Sequence, residues 1–345
     1  MQLPRIGVTL GDAAGIGPEI LAKLLAHEKL NDLCIPVVIG DRRVVEQALA
    51  LIGAALPLQT IADPRQACEP GAAYLVDLHN LAPEDYRYGT VSAATGRAAG
   101  EWIERATALA LEGALDAIVT NPIHKESFVL GGYGRRYAGH TEMLAGLTGT
   151  ASYCMMLACG TLRVCHVTTH VSLLDALTRD IKRERILQVI RLADDACRRL
   201  GIERPAIGVA GVNPHASEDG LFGAEEKREI IPAITEAQAA GIAAEGPVPA
   251  DTLFSKAKGG MYDAVVAMYH DQGHIPVKLA GFLYDHASGS WEMHGVNVTL
   301  GLPIIRTSVD HGTAFDKAGK GVANHRSLLE ALAYAAALTG RRRTP

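Results

Sequence analysis

The short signatures of nucleotide, nucleic-acid and membrane binding are missing from this chain. Six cysteines, at positions 34, 68, 154, 159, 165 and 197, form no CxxC pair. Several sit in apolar runs such as "YCMMLACG" and "RVCHV", where a thiol behaves as a small hydrophobe, so reduced core cysteines are expected rather than a disulfide framework. No uninterrupted apolar stretch reaches the ~18 residues a membrane helix needs. The first residues carry no basic-then-apolar leader pattern, and the expected compartment is the cytoplasm. Positive charge is not in excess: 33 Lys and Arg stand against 38 Asp and Glu, for a net charge of −5. With a pI near 6.2 there is no basic field to attract nucleic acid, and the run "GRRRTP" at the C-terminus reads as a solvated tail. There is also no GxGxxG fingerprint and no internal repeat, so a nicotinamide cofactor, if one binds, does so on another scaffold.

What the chain does have is length and alternation. At 345 residues, 48% hydrophobic and 21% charged, it can bury a large core and is expected to form two lobes. Apolar runs of strand length alternate with stretches of helical period, the α/β signature. The predicted strands are "RIGVTL", "IPVVIG", "AAYLVD", "DAIVT", "SYCMML", "LRVCHVT", "AIGVAG", "DAVVAMY" and "GVNVTL". Helices are predicted over 18–30, 96–111, 181–200, 224–240 and 327–338. Pro18 suits a first helical turn, where its missing N–H costs nothing, and Gly201 suits a helix end.

Three apolar runs lead to a histidine: "LRVCHVTTH" to His170, "AIGVAGVNPH" to His215 and "DAVVAMYH" to His270. In open α/β sheets ligands gather beyond the carboxyl ends of the strands, which makes these imidazoles candidates for one site. Three neutral imidazoles with an open position describe a catalytic metal centre, most often zinc and also compatible with cobalt, nickel or iron. Each taken alone reads as an ordinary hydrogen-bonded strand-end histidine, and the parallel placement of all three is what points to a metal. His166 has HxxxH spacing to His170 but is expected to be structural. A second constellation supplies positive charge: His124 and Lys125 in "VTNPIHKE", His140 and Thr141 at a predicted helix start, then Lys278, Asn297 and Arg306. A phosphate or carboxylate suits them, although single surface cations are usually only solvated. Arg306 closes the apolar segment "LGLPII", where a charge needs a partner. "GDAAGIGPE" is a strand-to-helix loop that either approaches a ligand or simply turns tightly.

These motifs, with "TNPIHKE", "GHTE", "TTH", "NPHA", "PADTLF", "MYHDQG" and "VNVTLGLPIIRTSVDHGTAFDKAGKG", resemble the 4-hydroxythreonine-4-phosphate dehydrogenase family of vitamin B6 biosynthesis, nearly end to end. The resemblance implies an isocitrate/isopropylmalate-dehydrogenase-like α/β fold in two lobes, 1–125 with 300–345 and 126–299. It implies a homodimer with the active site between subunits. It implies a divalent metal, Zn²⁺ first and Co²⁺ or Mg²⁺ as alternatives, on His170, His215 and His270. Substrate contacts map onto His140, Thr141, Lys278, Asn297 and Arg306, and a further active-site acid onto Asp251. "HGTAFDKAGKGVAN" is similar to the loop by which isopropylmalate dehydrogenases hold the adenosine half of NAD, which points to Gly312, Thr313 and Asn324 for NAD or NADP.

The implied reaction is NAD(P)-linked oxidation of a phosphorylated four-carbon 3-hydroxy acid followed by loss of CO₂. In it Lys278 and Arg306 clamp anions, Asp251 or a lysine moves a proton and Asp271 orients His270. The expected substrate is 4-phosphohydroxy-L-threonine. One departure matters: between "KLAGF" and "GVNVTLG" the chain inserts "LYDHASGSWEMH", Leu283 to His294, which either reshapes the pocket through His286, Trp291 and His294 or is a surface excursion. "PHASEDGLFG" and "HDQGHIPVKLAGF" look more like catabolic relatives that act on D-threonate or D-erythronate 4-phosphate, and a further branch acts on aromatic cis-dihydrodiol acids. From other classes, a metal-dependent hydrolase would use the same histidines to activate water. A metabolite-binding protein would keep the anion clamp without a metal.

Overall fold

The computed structural model describes residues 3–285 and 290–340, and the chain divides into two compact units, Met1–Ala151 with Leu302–Pro345 and Ser152–Gly301. The α/β class and the alternation read from the sequence are observed.

The first unit opens with β1 (Arg5–Thr9), α1 (Gly17–His27), β2 (Ile35–Gly40), α2 (Arg42–Leu51), β3 (Leu58–Thr60) and β4 (Ala73–Asp77). It continues through α3 (Ala93–Leu111), β5 (Ala117–Thr120), α4 (Lys125–Leu130) and α5 (His140–Thr148). The second unit runs from β6 (Cys154–Cys159) and β7 (Leu162–His166) through α6 (Leu173–Asp175), α7 (Arg183–Arg199), β8 (Ala206–Ala210) and α8 (Ile231–Ala239). It is completed by β9 (Ala243–Val248), α9 (Ala250–Lys258), β10 (Ala264–Ala267), α10 (His270–Gly281), β11 (Phe282–Asp285), β12 (Ser290–Met293) and β13 (Val296–Leu300). The chain then returns to the first unit with β14 (Arg306–Val309) and α11 (Arg326–Leu338).

In the first unit the strands lie in the order β3-β4-β2-β1-β5-β14, and every pairing is parallel. Burial on both faces explains why β1, β2 and β5 read as continuous apolar runs. Local chemistry sets the helix ends: Pro18 occupies the first turn of α1, Asp41 accepts from the Arg43 N–H to open α2, and Gly149 closes α5 with φ +64°. The second unit has the order β13-β6-β7-β10-β8-β9. β13, β6 and β7 pair antiparallel, and β7, β10, β8 and β9 pair parallel. Helix α7 shows why pattern is a good guide: Ile186, Leu187, Val189, Ile190, Ala193, Ala196 and Cys197 are its buried face, each large one contributing about 1.5–3 kcal/mol by leaving water.

Several expectations change. Strands β3, β9, β11, β12 and β14 and helices α2, α4, α6, α9 and α10 were not among the predicted elements, and of α5 only the start at His140 was. The helix predicted over 224–240 is a π turn, Glu226–Ile230, followed by α8. Four cysteines are buried as expected, but Cys68 is exposed and Cys159 half-buried; all six are free thiols. The insertion is a hairpin, with β11 pairing antiparallel to β12 so that Tyr284 faces Trp291 in register. Its base is tied to α10, where the His294 N–H donates to Gly281 O at 2.8 Å. His286 lies outside the described residues, as does the side chain of Trp291.

Candidate active site

In the second unit β7, β10 and β8 are consecutive parallel neighbours, and beyond their carboxyl ends lie His170, His270 and His215 respectively. The strand leading to His170 ends earlier than its sequence suggested, at His166, so that His170 sits in an exposed loop. His270 is the first residue of α10, and its Nδ1 lies 2.7 Å from Asp271 Oδ1. With Nδ1 donating to that carboxylate, Nε2 is left as the acceptor, the arrangement a metal ligand needs. The His170 and His270 ring centroids are 6.3 Å apart. Two imidazoles on one tetrahedral ion, each bonded at ~2.1 Å, have centroids roughly 5 Å apart, so the pair has the right donor chemistry and stands about an ångström too wide. His215 packs near Phe222 at 6.3 Å, and among the described residues no three His, Cys, Asp or Glu side chains cluster as a metal site. One chain therefore brings two of the three expected ligands together. A cleft of about 330 Å³ lies alongside, lined by Thr168, Thr169, Val171, Tyr269, His270 and Asp271 among others.

The polar ending of "DAVVAMYHDQGHIPVK" now has a physical account. Gln272, 9% exposed, accepts from the Met268 N–H at 2.7 Å and donates to Gly211 O at 2.7 Å, bridging the end of β10 to the end of β8. Two buried backbone groups are satisfied by one amide. His274 stacks on His270 with centroids 3.6 Å apart and planes 11° off parallel, and its Nδ1 meets His270 O at 3.1 Å. His166 is fully buried against His274, and burial pushes its imidazole down to about 3, as a core histidine kept neutral.

The loop carrying His215 holds a feature that sequence reasoning missed. Residues His215 to Asp219 all have positive φ, a left-handed run costing ~1–2 kcal/mol per residue for non-glycine side chains. Glu226, fully buried, accepts from the Val212 and Asn213 N–H groups at 2.8 and 2.7 Å and from Asn213 Nδ2 at 2.8 Å. It anchors the entry to that strained run. In the sequence it was only one residue of the helix predicted over 224–240, and nothing there singled it out.

Elsewhere in the second unit, Lys278 lies in the last turn of α10 with Nζ 4.6 Å from the Phe282 ring centre. Asn297 is in β13, and its buried Oδ1 has no hydrogen-bond partner among the described residues. Asp251 is exposed in the first turn of α9.

The first unit gathers the other expected anion ligands. Arg306, 3% exposed, opens β14 and donates Nη2 to Thr120 Oγ1 at 2.7 Å and Nε to the same oxygen at 3.2 Å. Burial pulls its guanidinium down to about 10, opposed by the Glu142 carboxylate in the first turn of α5. His140 and Thr141 open that helix, where free N–H groups favour an anion. The His140 Nε2 is sealed from solvent without a hydrogen-bond partner among the described residues. Burial first, and the Arg306 charge second, push its imidazole well below the usual histidine range. A neutral imidazole beside a desolvated guanidinium is a place prepared for negative charge. His124 has another role: it caps α4 and stacks on Phe315 at 4.4 Å, while Lys125 is exposed. Gly312 has open space where a Cβ would stand, Thr313 is buried with its carbonyl on the Ile16 N–H at 3.0 Å, and Asn324 Oδ1 accepts from the Arg326 N–H at 2.8 Å.

Against known proteins, the family model of the pyridoxal phosphate biosynthetic protein PdxA matches residues 32–335. A D-threonate 4-phosphate dehydrogenase from Cupriavidus necator is 51% identical over 342 residues, 99% of this chain and 98% of its own length. A 4-hydroxythreonine-4-phosphate dehydrogenase from Beijerinckia indica is 47% identical over 335 residues, 96% and 94% of the two chains. The crystal structure of 4-hydroxythreonine-4-phosphate dehydrogenase from Klebsiella pneumoniae superposes with a TM-score of 0.86 at 46% identity, covering 98% of this chain and 99% of that one. With the fold, the strand-end histidines and the buried arginine all in one sequence of this similarity, the chain belongs to the PdxA family.

Proposed function

We propose that this protein is an NAD(P)-dependent dehydrogenase that oxidises a phosphorylated four-carbon 3-hydroxy acid and releases CO₂, with D-threonate or D-erythronate 4-phosphate as the preferred substrate. The observation that carries the substrate choice is the 51% identity, over 99% of the chain, to a D-threonate 4-phosphate dehydrogenase. That reverses the order of substrates expected from the motifs alone. The second reading, 4-phosphohydroxy-L-threonine, keeps the support of the 47% identical relative named for that activity.

His170 and His270, with His215, would hold a divalent metal, Zn²⁺ or alternatively Co²⁺ or Mg²⁺, which when bound acts as a Lewis acid on the substrate hydroxyl and the ketone formed from it. NAD or NADP, when bound, would supply the hydride acceptor. The chain's own groups do the rest. Asp271 holds the His270 ring in the tautomer that presents Nε2. Arg306 and neutral His140, with the first turn of α5, bind an anionic end of the substrate; Lys278 and Asn297 contribute a second cation and an amide. Asp251 is the proposed proton carrier, and Gly312, Thr313 and Asn324 meet the dinucleotide.

A homodimer is part of the proposal. Exposed apolar side chains flank each histidine-bearing loop: Val171 and Leu173 beside His170, Leu221 and Phe222 beyond His215, Ile275 and Leu279 beyond His270. A second copy covering this face would remove them from water and bring a His215 to a His170–His270 pair.

The deciding experiment follows absorbance at 340 nm with protein, Zn²⁺ or Co²⁺ and each nicotinamide cofactor, comparing D-threonate 4-phosphate, D-erythronate 4-phosphate and 4-phosphohydroxy-L-threonine. Higher kcat/KM for the sugar acids, abolished by a chelator, is expected; a preference for the amino acid gives the second reading, and silence with all three rejects both.

A further inference from the structure

Helix α1 carries a buried carboxylate and a part-buried ammonium that its sequence gives no reason to draw inward. Glu19 is 2% exposed, and Lys23 Nζ lies 3.0 Å from its Oε1 one turn along the helix. Neither belongs to the anion or metal groups described above. Both instead reach a segment about 300 positions further along the chain. Glu19 Oε1 accepts from the Ala323 N–H at 2.6 Å and Oε2 from the Gly321 N–H at 3.2 Å. Lys23 Nζ donates to Gly321 O at 2.8 Å and to Ala323 O at 2.7 Å.

One ion pair thus satisfies all four backbone polar groups of two residues, and all three ammonium hydrogens are used. Burying such a pair is a poor route to stability, since well-packed apolar replacements of similar volume are often neutral or better. What it supplies is geometry, because donor and acceptor together fix the height and tilt of the backbone they grip. The same segment is fixed at three more points: Thr313 O on the Ile16 N–H at 3.0 Å, Phe315 stacked on His124 at 4.4 Å, and His325 Nε2 on Glu28 Oε1 at 2.7 Å. Two of those three anchors also come from α1 or the residues flanking it.

We propose that Glu19 and Lys23 are positioning residues for the dinucleotide, holding Gly321 and Ala323 so that Thr313 and Asn324 keep the geometry that receives its adenosine half. This rests on the proposed assignment of that segment to the cofactor. The test is the double variant Glu19→Gln/Lys23→Met, which leaves no uncompensated buried charge, with Glu19→Gln, which leaves only the part-exposed ammonium, as a milder second variant. Calorimetric titration with NADH and NADPH needs no substrate and reads the effect directly. The expected result is a rise of about tenfold in the Kd of whichever cofactor the parent binds, a parallel rise in its KM and a kcat within about twofold at saturation. Glu19→Gln shifts both the same way by less, and zinc affinity is unchanged in both variants. An unaltered dinucleotide Kd, or a loss of kcat with KM unchanged, overturns the proposal. Asn324→Ala and Thr313→Val separate the two levels: if they weaken NADH while the double variant does not, the positioning role fails and the cofactor assignment stands. If they too leave NADH binding intact, the assignment fails and takes the positioning role with it.

Discussion

Replacing Gln272 by leucine tests whether one amide holds the histidine-bearing loops together. The side chain is similar in volume, so packing is little changed, but two backbone groups lose their partners: the Met268 N–H and Gly211 O, each bonded at 2.7 Å. Both residues are buried, so water does not replace the lost bonds at no cost. At about 1–3 kcal/mol per stranded buried group, the expected loss is about 2–6 kcal/mol, centred near 4. For a chain of this size, with about 2.1 cal/mol/K of unfolding entropy per residue, that corresponds to a fall in Tm of roughly 5–6 °C, readable by calorimetry. A functional loss should accompany it, because Gly211 precedes the His215 loop and Met268 precedes His270. Zinc affinity, measured by competition with a chromogenic chelator, should drop about tenfold or more. A Tm within 1 °C of the parent together with unchanged zinc affinity would refute the bridging account.

Asp271→Ala should weaken zinc binding about 10–100-fold by the same competition assay, as loss of a carboxylate behind a ligand histidine usually does, while Tm moves little because the pair is exposed. His140 titrates below the usual range, so the folded state resists its protonation: its contribution to stability is complete above the unfolded pKa of about 6.5 and is lost as pH falls below it. His140→Gln should therefore flatten the fall in Tm between pH 7 and pH 5, and an unchanged profile would contradict a buried neutral ring. Arg306→Lys should raise KM for the phosphorylated acid at least tenfold, since one ammonium cannot reproduce the fork that meets Thr120, with NADH affinity as the control. Replacing residues 283–293 by a short glycine link should change the kcat/KM ratio between D-threonate 4-phosphate and 4-phosphohydroxy-L-threonine by about tenfold or more, and an unchanged ratio would make the hairpin a surface excursion.

The alternation of apolar runs and helical stretches was enough to determine the α/β class, the buried parallel strands and most long helices, because period and burial are local consequences of backbone geometry. It also placed His170, His215 and His270 beyond strand ends, since a strand that must stay dry ends where polar groups begin. Elements without a period escaped it: β3 is three residues long, and α10 starts inside a motif whose His, Asp and Gln look like a loop. Which strands are neighbours was beyond reach, and that adjacency is what sets the three histidines beyond the ends of neighbouring strands β7, β10 and β8. Tertiary structure alone decided the partners of buried charge. Arg306 needed one and found Thr120, Glu226 took the backbone that enters a left-handed run, and Glu19 with Lys23 found theirs near the far end of the chain. Periodicity can show that a side chain is buried, but a hydrogen-bond partner a hundred or more positions away is set by how the elements pack.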